Sequence, residues 1–265
     1  MQCEGLVKEM ARPQKHLILF IVEGTSDVAA LETCISELLD GNQHNLEARF
    51  INMNTDVTSD FRNNPRNITE NINRHYLMKF FQGNDYYFPK DVYEVVQICD
   101  LDGTFIPEEN CRQFTELNYL EEGFYYDPPY IFGATAETVQ DRNQRKSENI
   151  QTLLSQNTIK VKTKKKPYSL YYFSSNLDHF LHDEINLEKR EKIDKAKEFA
   201  EQFEGKPYAF VDFFCQHPYS SKNMTYEESW RYMIDNGTNS LMCFTNFNLY
   251  LEKLVSILNS DITLI

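Results

Sequence analysis

An apolar run closed by acidic residues occurs twice in this chain, as Leu17-Ile18-Leu19-Phe20-Ile21-Val22-Glu23-Gly24 and as Val95-Val96-Gln97-Ile98-Cys99-Asp100-Leu101-Asp102-Gly103. Both runs are short, rich in β-branched residues and closed by a glycine-containing turn, which is typical of buried parallel strands. Ligands of open parallel sheets bind at the carboxyl ends of the strands. If the two strands are neighbours, Glu23, Asp100 and Asp102 meet at one edge, where three oxygen donors suit Mg²⁺ or Mn²⁺.

Helical and extended patterns alternate around these two runs. Apolar residues at helical spacing predict helices over about 26–40 and 67–82, and a strand is expected between them at 48–53. With strands at 17–22 and 92–99, the order becomes β-α-β-α-β, which favours a parallel sheet. The sequence therefore predicts an α/β fold with a Rossmann-like parallel sheet flanked by helices.

The remainder of the chain is expected to form an insertion and a helical end. Residues 107–168 are less regular than their flanks, and they carry a polar helical pattern and a lysine-rich stretch. A strand is expected to follow over 169–175, and helical patterns dominate after it. We therefore predict a core over 1–185, with an insertion at about 107–168, and a mainly helical C-terminal region over 186–265.

Composition limits the classes of function. The chain has 265 residues, with 40 acidic and 27 basic side chains and a formal charge of −13. Such a charge argues against a general nucleic-acid coat protein, although it leaves room for an enzyme with local basic contacts. The six cysteines are scattered without a C-x-x-C pair, so reduced thiols are expected rather than a zinc site. No stretch has membrane-spanning length, so we expect a cytoplasmic protein without a membrane partner.

The two acidic motifs together resemble the Toprim domain, the catalytic domain of topoisomerases, primases and OLD-type nucleases. The resemblance covers about residues 15–105. Val22-Glu23-Gly24-Thr25-Ser26-Asp27 is similar to the first motif of Toprim nucleases, including those of bacterial defence against phage, and Asp100-Leu101-Asp102 fills the second. Ser174-Ser175-Asn176-Leu177-Asp178-His179-Phe180 is similar, more loosely, to a segment of small Toprim-like defence proteins. The order and strand context of the motifs make the combination more specific than either alone.

The resemblance implies a Toprim-like, metal-dependent nuclease that serves antiviral defence. Glu23 is expected to bind metal or act as general base, and Asp100 and Asp102 are expected to bind Mg²⁺ or Mn²⁺. The metal would activate water and stabilise charge on the phosphate of a nucleic acid, either RNA or DNA. Asp27 is a further metal-ligand candidate that could equally cap the following helix.

Partner proteins also follow from the resemblance. An uncontrolled nuclease would be toxic, and an ATPase regulates several Toprim defence systems. This chain has no G-x-x-x-x-G-K-[ST] phosphate loop of its own, so a regulatory ATPase subunit is expected. A homodimer is an open alternative.

A second family competes for the same residues. Asp100-Leu101-Asp102-Gly103-Thr104 is also similar to the first motif of haloacid-dehalogenase phosphatases. In that family the residue matching Asp100 would accept the phosphoryl group and Asp102 would be the acid/base, with the required hydroxyl supplied by Ser174 or Ser175. This interpretation leaves the first acidic motif unexplained, so the Toprim interpretation is preferred. A degenerate Toprim-like domain used only for interaction is the third alternative.

The main basic feature is a lysine-rich stretch at 160–166. Its lysines could neutralise substrate phosphates, or they could belong to a solvated hairpin or loop. The substrate-binding candidates are Lys162, Lys164, Lys165 and Lys166.

Overall fold

The computed structural model describes residues 15–84, 86–114 and 123–260. The ends of both predicted regions, at 1–14 and 261–265, lie outside the described residues, as do residue 85 and residues 115–122 of the predicted insertion.

Eight strands form two sheets in the described residues. The larger sheet has five strands, and four of them are parallel, while the smaller one has three strands. The strands are β1 (His16–Val22), β2 (Leu46–Asn52), β3 (Val92–Asp100), β4 (Cys111–Gln113), β5 (Phe124–Asp127), β6 (Tyr130–Gly133), β7 (Thr158–Val161) and β8 (Lys164–Phe173).

Helices cover both faces of the larger sheet. A π-helical turn, Asn73–Leu77, joins the second helix to the third, and 3₁₀ turns occur at Glu108–Asn110 and Gly237–Leu241. The α-helices are α1 (Thr25–Leu38), α2 (Ile68–Ile72), α3 (Met78–Gln82), α4 (Ala136–Leu154), α5 (Leu177–His182), α6 (Lys189–Glu201), α7 (Pro207–Gln216), α8 (Tyr226–Asp235) and α9 (Phe247–Leu258).

The strand order of the larger sheet is β2-β1-β3-β8-β7. The predicted class is confirmed: a mixed α/β fold with a mostly parallel central sheet flanked by helices. The strands that carry the two acidic motifs are neighbours, because β1 pairs in parallel with β3. On its other side β3 pairs in parallel with β8, and only β7 runs antiparallel. The carboxyl ends of β1, β3 and β8 therefore lie side by side, where the two acidic motifs begin.

The interior strand β1 is buried on both faces, which explains its continuous apolar sequence. Ile18, Phe20 and Val22 share one hydrophobic cluster with residues of α1, α6, α7 and α9. Leu17 and Leu19 share the other with residues of α2, α4 and α8. The region predicted to be mainly helical thus contributes to the same cores as the parallel strands. No helix in the described ranges has the length and apolar character needed to cross a bilayer.

The predicted insertion at 107–168 does not form one separate unit in the structure. The lysine-rich stretch forms a β7–β8 hairpin that extends the central sheet, so it belongs to the core of the fold. The small sheet, of order β4-β6-β5, and the long helix α4 make up the rest of the described insertion. Helix α4 positions the site described next.

Candidate metal centre

The carboxyl ends of three adjacent parallel strands converge on one edge. Glu23 follows β1 directly, Asp100 is the last residue of β3, and Asp56 lies four residues past the end of β2. The backbone N–H of Asp100 donates to Oε1 of Glu23 at 3.3 Å, which ties the first two strand ends together. The predicted convergence of Glu23 with Asp100 is thus present.

A tight turn after β3 positions Asp102. Asp102 and Gly103 both have positive φ angles, of 50° and 69°, a conformation that glycine adopts without strain and aspartate tolerates. The Asp102 N–H donates to the Ser175 carbonyl at 2.8 Å, and the Gly103 N–H donates to the Ser240 carbonyl at 2.8 Å. The acidic turn is therefore held by the end of β8 and by the 3₁₀ turn before α9.

Three carboxylates come together in the described part of the chain as a group able to hold a metal ion. Glu23, Asp56 and Asp102 each offer one oxygen, and these oxygens lie within 4.8 Å of one another. Asp56, which the sequence analysis missed, is fixed in place by Thr58, whose N–H and hydroxyl donate to its Oδ1 at 2.8 and 2.5 Å. Such an all-oxygen group suits a hard cation.

Helix α4 supplies two cations to this group. Lys146 has no exposed surface, and its Nζ lies 2.6 Å from Asp102 Oδ2 and 2.8 Å from Asp56 Oδ2. Arg142 Nη1 lies 3.7 Å from the same Asp102 oxygen, while the hydroxyl of Tyr126 donates to Asp102 Oδ1 at 3.3 Å. Both oxygens of Asp102 are therefore already engaged.

The pKa values of the carboxylates are shifted in opposite directions by their surroundings. Desolvation and then the charge of Asp56 raise the pKa of Glu23 well above its ordinary value. Desolvation, Asp27 and Asp102 do the same for the pKa of Asp100. Desolvation also opposes ionisation of Asp56, but the ammonium of Lys146, together with hydrogen bonds from Lys146, Ser59 and Thr58, outweighs it and holds the Asp56 pKa well below its ordinary value. Strongly shifted pKa values are common at functional centres.

Asp27 lies on the other side of Asp100 from this group. Its Oδ2 accepts from the N–H of Gly24 at 2.8 Å, so it caps α1, as one of its two predicted roles requires. Desolvation raises its pKa to about 6, and nearby Asp178 adds to the shift. Asp178 itself forms a 2.9 Å ion pair with Lys192 of α6.

The lysines predicted to bind substrate lie far from the carboxylates. Asp100 pairs with Phe173, and Lys166 precedes Phe173 by seven residues on the same strand, which corresponds to about 23 Å at ~3.3 Å per residue. Lys166 also donates to the carbonyls of Lys90 and Val92 near the start of β3. The candidates Lys162, Lys164, Lys165 and Lys166 thus occupy the amino-terminal edge of the sheet, opposite the carboxylates.

Comparison of the chain with protein-family models, with curated proteins and with solved structures finds no match. Any functional assignment therefore depends on the geometry and chemistry of the residues themselves.

Proposed function

We propose that this chain is a nuclease that depends on a divalent metal and hydrolyses phosphodiester bonds in nucleic acid, with a Toprim-like catalytic centre. The observation that carries the proposal is the oxygen group of Glu23, Asp56 and Asp102 at the carboxyl edge of a parallel sheet. Asp100 borders this group through Glu23, and Lys146 lies against it without solvent exposure. Ligands of open α/β sheets bind at this edge.

The charge of the centre favours a divalent cation. Four carboxylates and two side-chain cations leave two uncompensated negative charges at full ionisation, which is costly in a partly buried site. One Mg²⁺ or Mn²⁺ ion neutralises that excess. The groups counted are Glu23, Asp56, Asp100, Asp102, Lys146 and Arg142.

The side chains of the centre would have different roles in hydrolysis. Glu23, Asp56 and Asp102 would hold the ion, which when bound would activate water and stabilise charge on the phosphate. If Glu23 instead acts as general base, its raised pKa in the metal-free centre makes it a better proton acceptor than an ordinary carboxylate. Lys146 is a positioning residue: it is fully buried, and it holds Asp56 and Asp102 together.

The phosphatase alternative has one supporting observation and two against it. Ser174 and Ser175 follow β8, the strand adjacent to β3, so hydroxyls lie near the strand end that carries Asp100. Both hydroxyls are already hydrogen-bonded, however, since Ser174 donates to the Met242 carbonyl and Ser175 pairs with His179 Nδ1. The phosphatase interpretation also gives no role to Glu23 and Asp56, which lie together with Asp102. We therefore prefer phosphodiester cleavage.

Metal binding can be tested by calorimetric titration of Mg²⁺ and Mn²⁺. Asp56→Asn should weaken binding by about tenfold or more, since even residues that only support a metal ligand contribute about 10–100-fold. Asp100→Asn should have a smaller effect, because Asp100 lies outside the oxygen group. Exposed Asp194→Asn is the control. Equal affinity in Asp56→Asn and wild type would refute the site.

Catalysis can be tested with a panel of single- and double-stranded RNA and DNA and a small phosphomonoester. Glu23→Gln should lower metal-dependent cleavage about 100-fold or more, whereas exposed Glu227→Gln should not. A phosphatase would instead hydrolyse the monoester, tolerate Glu23→Gln and form a phosphoaspartate at Asp100. Metal binding without any hydrolysis would identify the interaction module. Antiviral defence and a regulatory ATPase stay predictions of the resemblance alone.

A further inference from the structure

A cavity of about 540 Å³ adjoins the metal centre. It lies between the loop that follows β2 and the first half of α4, and its volume falls within the roughly 300–1,000 Å³ of pockets that bind small ligands. Arg142 belongs to both sites, because it lines the cavity and also contacts Asp102. Ser59, on the opposite wall, donates its N–H to Asp56 at 3.3 Å. We call this space the arginine cavity.

Arg142, which lines the arginine cavity, has a buried donor without a hydrogen-bond partner. Arg142 is only 7% exposed, and its Nε has no hydrogen-bond partner although its other nitrogens bind Asp102. Arg62 and Arg145 also line the cavity, together with the carboxylates of Asp60 and Asp141. Leaving a buried donor unpaired costs stability, so a ligand oxygen that reaches Arg142 would be favoured. Because Arg142 offsets the carboxylates of the metal centre, the charges of Arg62 and Arg145 balance those of Asp60 and Asp141, and a phosphate would be bound through the planar donor groups of the guanidinium side chains.

Phe61 adds an aromatic surface at the same cavity. Its side chain is 83% exposed, the highest value among the large exposed apolar side chains of the described residues. The loop that carries it is held on both sides, because Asn149 Nδ2 donates to the Thr58 carbonyl at 2.9 Å and Asn63 Nδ2 donates to the Val57 carbonyl at 2.8 Å. An exposed aromatic ring on an anchored loop beside basic groups is a platform for an unpaired base.

We propose that the arginine cavity binds an unpaired nucleotide next to the scissile phosphate, with its base stacked on Phe61 and its phosphate bound by Arg62, Arg142 and Arg145. This inference rests on the proposed nuclease function and specifies its substrate as a single strand or a single-stranded overhang. A paired base in a duplex has both faces stacked on its neighbours and cannot lie on Phe61.

The test compares two matched pairs of variants in a Glu23→Gln background, where cleavage is expected to be suppressed. Phe61→Ala is paired with Phe88→Ala, since Phe88 is also exposed but lies four residues before β3. Arg62→Gln is paired with Arg74→Gln. Both arginines are exposed, and each forms an ion pair with a nearby carboxylate of the chain. The probes are a fluorescent 12-nucleotide single strand, as DNA and as RNA, and the matching blunt duplex.

Phe61→Ala should weaken single-strand binding about 5- to 100-fold, as expected for the loss of one stacked base, and Phe61→Tyr should restore it. Arg62→Gln should weaken binding less and reduce its salt dependence. Duplex binding should change little. Equal single-strand affinity in Phe61→Ala and Phe88→Ala would overturn the inference, and so would an equal loss for single strand and duplex.

The two proposals fail differently. If the wild type cleaves nucleic acid but Phe61→Ala cleaves it as fast as Phe88→Ala in single-turnover assays, the nuclease stands and the arginine cavity is not its substrate site. If single strands bind in a Phe61-dependent manner but no substrate is cleaved with Mg²⁺ or Mn²⁺, the binding site stands and the nuclease does not.

Discussion

Lysines lie at both edges of the central sheet, and the two groups have opposite surroundings. At the carboxyl edge Lys146 is fully buried between two carboxylates. At the amino edge Lys162, Lys164 and Lys165 are exposed, and the side chain of Lys166 donates to the carbonyls of Lys90 and Val92. Lys146 is thus isolated in the sequence but lies in direct contact with two carboxylates. The lysines at the amino edge are close together in the sequence, and most of them are exposed to solvent.

This difference shows that local charge density is a poor guide to electrostatic strength. An exposed lysine interacts through water and salt, which screen its field within about 10 Å. A buried ammonium interacts through a medium of lower dielectric, where each contact is several times stronger. Lys146 accordingly shifts the proton affinity of Asp56, although it has no basic neighbour besides Arg142 in the group described above.

The largest expected effect contrasts these two kinds of lysine directly. Lys146→Met leaves the carboxylates of Asp56 and Asp102 without their main partner, so the free energy of unfolding without metal should fall by about 3–5 kcal/mol. Lys165→Met removes an exposed charge and should change it by less than about 0.5 kcal/mol. Urea unfolding in EDTA measures both.

Magnesium should reverse part of the loss in Lys146→Met. The carboxylates freed from Lys146 can bind the ion, and a ligand that binds only the folded state stabilises it. The unfolding midpoint of Lys146→Met should therefore rise more with Mg²⁺ than that of Lys165→Met. Equal stability of the two variants in EDTA would contradict the assignment of Lys146 to the centre.

The next largest expected effect is on the pH dependence of the free energy of unfolding, with and without metal. The pKa of Asp27 rises from its ordinary 3.8 to about 6 on folding, so the folded state binds this proton more tightly than the unfolded state. The resulting stability is present below about pH 4 and is lost as pH rises through 6. Raised pKa values of Glu23 and Asp100 act in the same direction.

Without metal, stability should therefore decline between pH 4 and pH 7, by at most about 1.4 kcal/mol per pH unit for each group. Asp27→Asn should flatten the decline between pH 4 and 6, while its side-chain oxygen can still accept from Gly24. Saturating Mg²⁺ should oppose the trend, because the ion needs ionised carboxylates. Urea unfolding across this range, with EDTA or Mg²⁺, gives both slopes. A slope in Asp27→Asn identical to that of wild type would exclude Asp27 as a titrating group.

The same contrast explains what the sequence could predict. The parallel strands and the acidic ends of β1 and β3 follow from two nearly continuous apolar runs, so Glu23, Asp100 and Asp102 could be found by pattern. Lys146 could not, because it lies on a helix whose buried face is largely polar. Such a helix has the sequence of a solvated one, since the carboxylate partners of Lys146 are 44 and 90 residues away in the chain. Asp56 was missed because it follows β2 in a polar stretch typical of an ordinary turn.

The smallest expected effect is at the amino edge. Lys162, Lys164 and Lys165 are replaced together by Gln, and Lys166 is kept because it donates to the carbonyls of Lys90 and Val92. The separation along β8 is about 23 Å. A dinucleotide bound at the metal centre cannot reach these lysines even when it is extended, so its affinity should not change. A substrate of 20 or more nucleotides could reach them, and its affinity should fall only a few-fold, with a smaller salt slope. Binding of both lengths across several salt concentrations, in a Glu23→Gln background, measures this. A large loss of affinity for the dinucleotide would mean that nucleic acid binds primarily at the lysine hairpin, and that the arginine cavity is not the path to the carboxylates.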